Sequence, residues 1–167
     1  PIRWGLTGTI PKEDWQYASL KVSLGDVINR LSAADLQEQE VLANCEINII
    51  QTQDIVAYLN YQSELTYLTT NENRIDYLAG LFKDIAKDGN TLILVDRIKA
   101  GKMIQERLGD ESVFISGSVK SADRRKQYSE VQDSDNKIIV ATYGVASIGI
   151  NIPRIFNLVL LEPGKSF

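Results

Sequence analysis

The stretch Ile75-Asp-Tyr-Leu-Ala-Gly-Leu-Phe-Lys-Asp-Ile-Ala-Lys-Asp-Gly-Asn-Thr-Leu-Ile-Leu-Val95 decides the fold. Its first part sets Ile75, Leu78, Ala79, Phe82, Ile85 and Ala86 at i, i+3, i+4, i+7, i+10 and i+11, which is one apolar face of a helix. Gly89 follows as a left-handed C-terminal cap. Its last part, Thr91–Val95, is a solid run with no polar alternation, the pattern of a strand buried on both faces.

Downstream the two patterns alternate. Residues 98–108 read as a helix ending at Gly109, Val113–Ser116 as a strand, and residues 121–132 as a helix. Lys137–Thr142 reads as a strand, residues 144–148 as a turn or short helix, and Ile155–Leu161 as a strand. Strands apolar on both faces and separated by helices predict an α/β fold: a parallel sheet with helices on both faces. In such sheets ligands gather beyond the carboxyl ends of the strands, so the loops there are the candidate sites.

Upstream the pattern is weaker. Arg3–Thr7 reads as the end of a strand, followed by a Gly8-Thr-Ile-Pro11 turn. Residues 12–30 read as helical in part. Ser32-Ala-Ala-Asp35 is a capping box that starts a short helix near Ala33. Ile47–Ile50 is a candidate strand, and residues 52–68 read as helical with a break. The expected organisation is a first segment over 1–11, a helical connecting segment over 12–46, and the layered sheet over 47–167.

Composition excludes more than it includes. The 167 residues, 44% apolar and 24% charged, suit one globular domain with a real core. There is no histidine, which removes Ser-His-Asp and Cys-His catalysis and every His-ligated metal site. The single Cys45 can form no disulfide within the chain and is expected to pack as a small hydrophobe, compatible with a reducing cytosol. The longest apolar runs, Leu92–Val95 and Leu158–Leu161, are too short to span a bilayer. No signal-peptide pattern is visible, and a cytoplasmic location is expected. A start at Pro1 inside an expected strand and a stop at Phe167 lead to the expectation of a piece of a longer protein, truncated at both ends.

Net charge is −4 but unevenly placed. Residues 1–90 carry 7 Lys and Arg against 13 Asp and Glu, whereas residues 91–167 carry 11 against 9. The second half is the one whose sign suits a phosphate partner.

Four strand ends are candidates for chemistry. Asp96, Arg97 and Lys99 follow the first. Gly117, Ser118 and Lys120 follow the second and feed a helix opening with Asp123 and Arg124, an arrangement that presents free backbone N–H groups to an anion. The third runs Ala141-Thr-Tyr-Gly-Val-Ala-Ser-Ile-Gly-Ile-Asn-Ile-Pro153, where glycine allows close approach to a ligand and Asn151 both donates and accepts. The fourth, Glu162-Pro-Gly-Lys-Ser166, contains the tail of a phosphate-binding P-loop. The full pattern needs a glycine where Val159 stands, so Gly164–Ser166 is read as an ordinary loop and a P-loop kinase is disfavoured.

Together these pieces resemble the superfamily 2 helicases, most of all phage DNA helicases of the UvsW type. Leu6-Thr-Gly-Thr9 with Pro11 is similar to motif III, Thr91–Val95 to motif IV, and Gly117 with Arg124 to a G-x₆-R spacing. Val140–Pro153 is similar to motif V, and Leu158–Ser166 to the run-in to motif VI. The resemblance implies that this chain is the second RecA-like lobe plus the last strand of the first, part of a motor that clamps ATP between two lobes and walks on nucleic acid. It implies that Thr7, Gly8 and Thr9 couple nucleotide state to lobe closure. It implies that Arg97 and the Gly117-Ser118 turn track phosphates, that Thr142 faces the nucleic-acid backbone, and that Gly149 and Asn151 approach the nucleotide.

The implied partners are DNA in preference to RNA and the first RecA-like lobe, with no membrane. The implied cofactors are ATP and Mg²⁺ in the longer protein, with none expected on this chain alone. The sequence has no Walker A or DExH motif, motif VI would begin just past Phe167, and Asn151 stands where Asp is commoner. The chain alone is therefore expected to hydrolyse no ATP, with no catalytic residue and no metal site of its own. The competing expectation is a non-catalytic RecA-like module that binds nucleic acid or protein.

Overall fold

The structure is a computed structural model. It describes residues 2–54, 56–117, 131, 134–146, 152 and 154–162. The chain divides into two units, residues 1–54 and 55–167.

The first unit holds helix α1 (Asp14–Leu24) and helix α2 (Ala33–Glu38). Neither buries a residue. The capping box at α2 forms as the sequence predicts: Ser32 Oγ accepts the Asp35 N–H at 3.1 Å, and Asp35 Oδ2 accepts the Ser32 N–H at 2.9 Å. The two strands expected here do not form, since residues 3–7 and 47–50 carry no strand pairing. An apolar or β-branched run makes a strand only when a neighbour completes its hydrogen-bond ladder, and this unit holds no described strand. Cys45 is exposed rather than packed, as are its neighbours from Val41 to Ile50, and neither helix described in this unit buries a residue.

The second unit begins its regular structure with two capped helices. Asn60 caps α3 (Tyr61–Thr70) through Oδ1, which accepts the Ser63 N–H at 2.9 Å. Asn71 caps α4 (Glu72–Ile85) in the same way, accepting the Arg74 N–H at 3.0 Å. Residues 52–54 and 56–60 are not helical, and the helix described within the 52–68 stretch starts only at its cap. A short 3₁₀ turn, Ala86–Asp88, leads to Gly89. Gly89 has φ 134° and ψ 176°, a positive φ outside the left-handed helical region expected of it. A Cβ there would also lie 2.7 Å from Phe156 Cδ2, so conformation and space both require glycine.

From Gly89 onward the chain builds the sheet. Strand β1 is Thr91–Val95, β2 is Ser112–Ile115, β3 is Ile138–Thr142 and β4 is Asn157–Leu160. All described pairings are parallel, in the spatial order β2-β3-β1-β4. Val95 pairs with Thr142, Leu94 with Leu160, and Ile115 with Ala141, so four carboxyl ends share one rim. Helix α5 (Ile98–Leu108) connects β1 to β2 and stops at Gly109, where φ is 73°. Helix α6 (Tyr143–Ala146) follows β3 directly. The helix expected over 121–132 lies outside the described residues apart from Val131.

Alternate side chains of each strand enter two cores. On one face Ile93, Val95, Ile138 and Val140 pack with Ile75, Leu78, Phe82 and Ala86 of the α4 region and with Ile104 and Leu108 of α5. On the other, Leu94, Ile139, Ala141 and Ile115 pack with Val131 and Val145. The expectation of burial on both faces fails at β4 alone. Leu158 and Leu160 are 59% and 65% exposed, because β4 is an edge strand and no described element covers that side.

Candidate functional site

The parallel register gathers the chemistry at the carboxyl rim. Asp96 and Arg97 leave β1, Ser116 and Gly117 leave β2, Thr142 closes β3 and Tyr143 follows it, and Glu162 lies two residues beyond β4. Three of these elements are tied together there. Leu161 N–H donates to Leu94 O at 3.1 Å, extending the β1–β4 ladder by one bond. The Glu162 carboxylate then takes over: its Oε2 accepts the Asp96 N–H at 2.7 Å and the Arg97 N–H at 3.0 Å. Tyr143 Oη donates to the Glu162 backbone O at 2.8 Å. Arg97 is also the N-cap residue of α5, and its guanidinium, which has donors and no acceptor, makes no cap bond there.

Glu162 is buried, with 7% of its surface exposed. Burial pushes its carboxyl above the usual carboxylate range; the two backbone N–H bonds and the Arg97 charge oppose that, and the Asp96 charge adds to it. Tyr143 is pushed up by burial and by the negative charges of Glu162 and Asp96.

The family model of the helicase conserved C-terminal domain matches residues 73–166, from the amino end of α4 to beyond β4. The chain belongs to this helicase family. The ATP-dependent DNA helicase uvsW of Enterobacteria phage T4 is 25% identical to it over 175 residues, an alignment covering 99% of this chain and 35% of the phage protein. The crystal structure of T4 UvsW matches with a TM-score of 0.56 at 29% identity, over 64% of this chain and 22% of that chain. This helicase C-terminal domain thus spans about a third of the length of the curated relative it matches. The fold is the RecA-like one expected, a four-stranded parallel sheet with helices packed on it.

Within the helicase domain the sequence-predicted residues fall into three groups. Arg97 and Thr142 stand at the ends of adjacent, paired strands, Arg97 two residues beyond the Val95–Thr142 pair. Gly117 is at the same rim, exposed, with open space where a Cβ would go. Ser118, Gly149 and Asn151 lie outside the described residues, as does the Gly164–Ser166 loop. Thr7, Gly8 and Thr9 belong to the first unit and are exposed. Thr7 Oγ1 donates to Thr9 O at 2.8 Å and accepts the Thr9 N–H at 3.2 Å, which closes the turn predicted there.

The described residues do not by themselves build a triphosphate cradle. Arg97 stands beside two carboxylates, Asp96 and Glu162, and none of the described residues forms a Gly-rich phosphate loop. Among the described residues no group of three His, Cys, Asp or Glu could hold a metal ion, and no helix is long and apolar enough to cross a membrane.

Sequence reasoning missed Glu162 as a site residue. Its only signal was a carboxylate closing an apolar strand in a parallel sheet, where a buried charge needs a donor to justify it. The raised carboxyl gives a signed pH prediction. The folded helicase domain holds the Glu162 proton more tightly than the unfolded chain does, so unfolding free energy falls as pH rises from the ordinary value of 4.5 for a glutamate through the raised one. Gln at this position does not titrate. Urea titrations between pH 4 and 7 are expected to show Glu162→Gln gaining stability relative to the native chain as pH rises. A gap that is constant, or that narrows, contradicts the desolvation account.

Proposed function

We propose that the chain is the second motor lobe of an ATP-dependent DNA helicase or translocase, gripping the nucleic-acid backbone at the carboxyl rim and forming one side of an ATP cleft. The observation that carries this reading is the family match over residues 73–166, because those residues include the sheet whose rim presents Arg97 and Thr142. The similarity to an ATP-dependent DNA helicase of phage T4 supports DNA as the substrate class.

In this reading Arg97 contacts a backbone phosphate and Thr142 donates its hydroxyl to the same strand, with Gly117 and Ser118 offering backbone N–H groups nearby. Such contacts are independent of sequence and sensitive to salt. Gly149 and Asn151 approach the nucleotide, and Thr7, Gly8 and Thr9 pass its state to the lobe interface. Alternation of grip between two closure states, with different contacts in each, is what turns hydrolysis into stepping. ATP and Mg²⁺ are proposed for the longer protein, whose other lobe supplies the phosphate-binding machinery, and no step is assigned to them on this chain.

The test is fluorescence anisotropy of a labelled single-stranded DNA oligonucleotide titrated with the chain at several salt concentrations. Expected is weak, saturable binding that strengthens as salt is lowered and is weakened by Arg97→Ala. RNA of the same sequence is expected to bind less well. Salt-independent binding, or none at low salt, overturns the reading. The purified chain is expected to show no ATP turnover, and measurable turnover contradicts the assignment of the fuel-binding machinery to the other lobe.

A further inference from the structure

Two adjacent backbone amides, those of Asp96 and Arg97, converge on one oxygen of Glu162. They stand where β1 has ended and α5 has not begun, so neither the ladder nor the helix supplies them with an acceptor. Fixing both amides fixes the two peptide planes that flank the Asp96 Cα; Arg97 O accepts the Gly101 N–H at 3.1 Å, which holds the next plane, and the three together set the direction in which the Arg97 side chain leaves the chain. The second oxygen, Oε1, is buried without a hydrogen-bond partner among the described residues. A carboxylate held under that penalty, 65 and 66 residues away in sequence from the amides it binds, does more than fill space.

We infer that Glu162 is a positioning residue: by holding the Asp96–Arg97 turn it aims Arg97 at the nucleic-acid phosphate. The inference rests on the phosphate-tracking role of Arg97 proposed above. The Tyr143 hydroxyl, bonded to the Glu162 backbone, ties β3 into the same clasp, so the ends of three strands move as one rim. The clasp lets the end of β4 set the grip of a loop on β1.

The variants that test this are Glu162→Gln and Glu162→Met in the full chain. Both remove the charge and nearly preserve the volume, and only Gln keeps an oxygen that accepts the two amides. Binding of a single-stranded oligothymidine is measured against salt for each, with and without Arg97→Ala. Expected is that Arg97→Ala lowers the slope of log affinity against log salt by roughly 0.7, one phosphate on a single strand. Glu162→Met is expected to lower it by the same amount alone and by nothing further beside Arg97→Ala, whereas Glu162→Gln keeps the native slope. In the native chain, hydrogen exchange of the Asp96 and Arg97 amides is expected to be slow, a readout that survives even if Glu162→Met does not fold.

Glu162→Met that leaves the slope unchanged, or that weakens binding equally with and without Arg97, overturns the positioning role alone. Fast exchange of both amides in the native chain does the same. A silent Arg97→Ala overturns the phosphate-tracking reading and, with it, the inference.

Discussion

Asn90→Leu is expected to remove roughly 2–6 kcal/mol of stability, a large share of the about 5–15 kcal/mol that a domain carries in total. Asn90 immediately precedes β1 and is 1% exposed. Its side-chain amide donates to Val131 O at 3.1 Å and to Ser134 O at 2.9 Å. Its Oδ1 accepts the Lys137 N–H at 2.8 Å, directly before β3. Its own carbonyl accepts N–H groups from Phe156 and Asn157 at the start of β4. One side chain therefore satisfies three backbone groups on the approach to β3, while its backbone aligns β4. Leucine matches the volume but strands the Lys137 N–H and takes the Asn90 donor from the Ser134 carbonyl, at about 1–3 kcal/mol for each group, while Val131 O keeps the Ser134 N–H at 3.1 Å. Asn90→Asp is expected to be worse at neutral pH, since it turns a carboxylate toward two carbonyl oxygens, and to recover in part as acid protonates it. Urea denaturation followed by circular dichroism reads both. A midpoint close to the native one for Asn90→Leu contradicts the clasp at the amino end of the sheet.

The second large effect is expected at Phe82. Its ring is 1% exposed in the cluster formed by α4, α5 and one face of the sheet. Phe82→Ala removes the buried ring and leaves a cavity that helix and strands close only in part, a loss of about 3–5 kcal/mol. Tyr77 lies on the same helix, five residues earlier, and is 59% exposed. Tyr77→Ala is expected to change stability by less than about 0.5 kcal/mol. The contrast in denaturation midpoint between the two variants checks which face of α4 the sheet covers. Equal losses at both positions contradict the assigned face.

What the sequence could show follows from where each force acts. The α4 face was legible because burial against a sheet imposes the 3.6-residue period on nearby positions, and Ile75, Leu78, Ala79 and Phe82 all obey it. Strands β1 and β3 were legible because burial on both faces leaves no polar position to mislead. The caps at Ser32 and Gly109 were legible because capping is a contact between residues close in sequence. Arg3–Thr7 and Ile47–Ile50 read as strands from composition, but pairing is a property of a neighbour, and their unit holds no described strand. Leu158 and Leu160 read as buried for the same reason, and their exposure reflects an edge that local pattern does not reveal.

The rim was legible in part. Arg97 and Thr142 stood out because loops after parallel strands are where ligands bind, and their juxtaposition follows from the register once the strand order is known. Glu162 and Asn90 did not stand out, because their roles consist of bonds to backbone atoms 41 to 66 residues away. An isolated Asn before an apolar strand and an isolated Glu after one are the only local traces such clasps leave.

The most direct test of the account is backbone-amide NMR of the isotope-labelled chain during titration with a single-stranded DNA oligonucleotide. The account predicts saturable shifts clustered at Asp96, Arg97, Gly117, Thr142 and Tyr143, with the amides of Asn90, Ser112 and Lys137 at the opposite end of the strands unmoved. Shifts centred on that opposite end, or none at any concentration of DNA, contradict a nucleic-acid grip at the carboxyl rim.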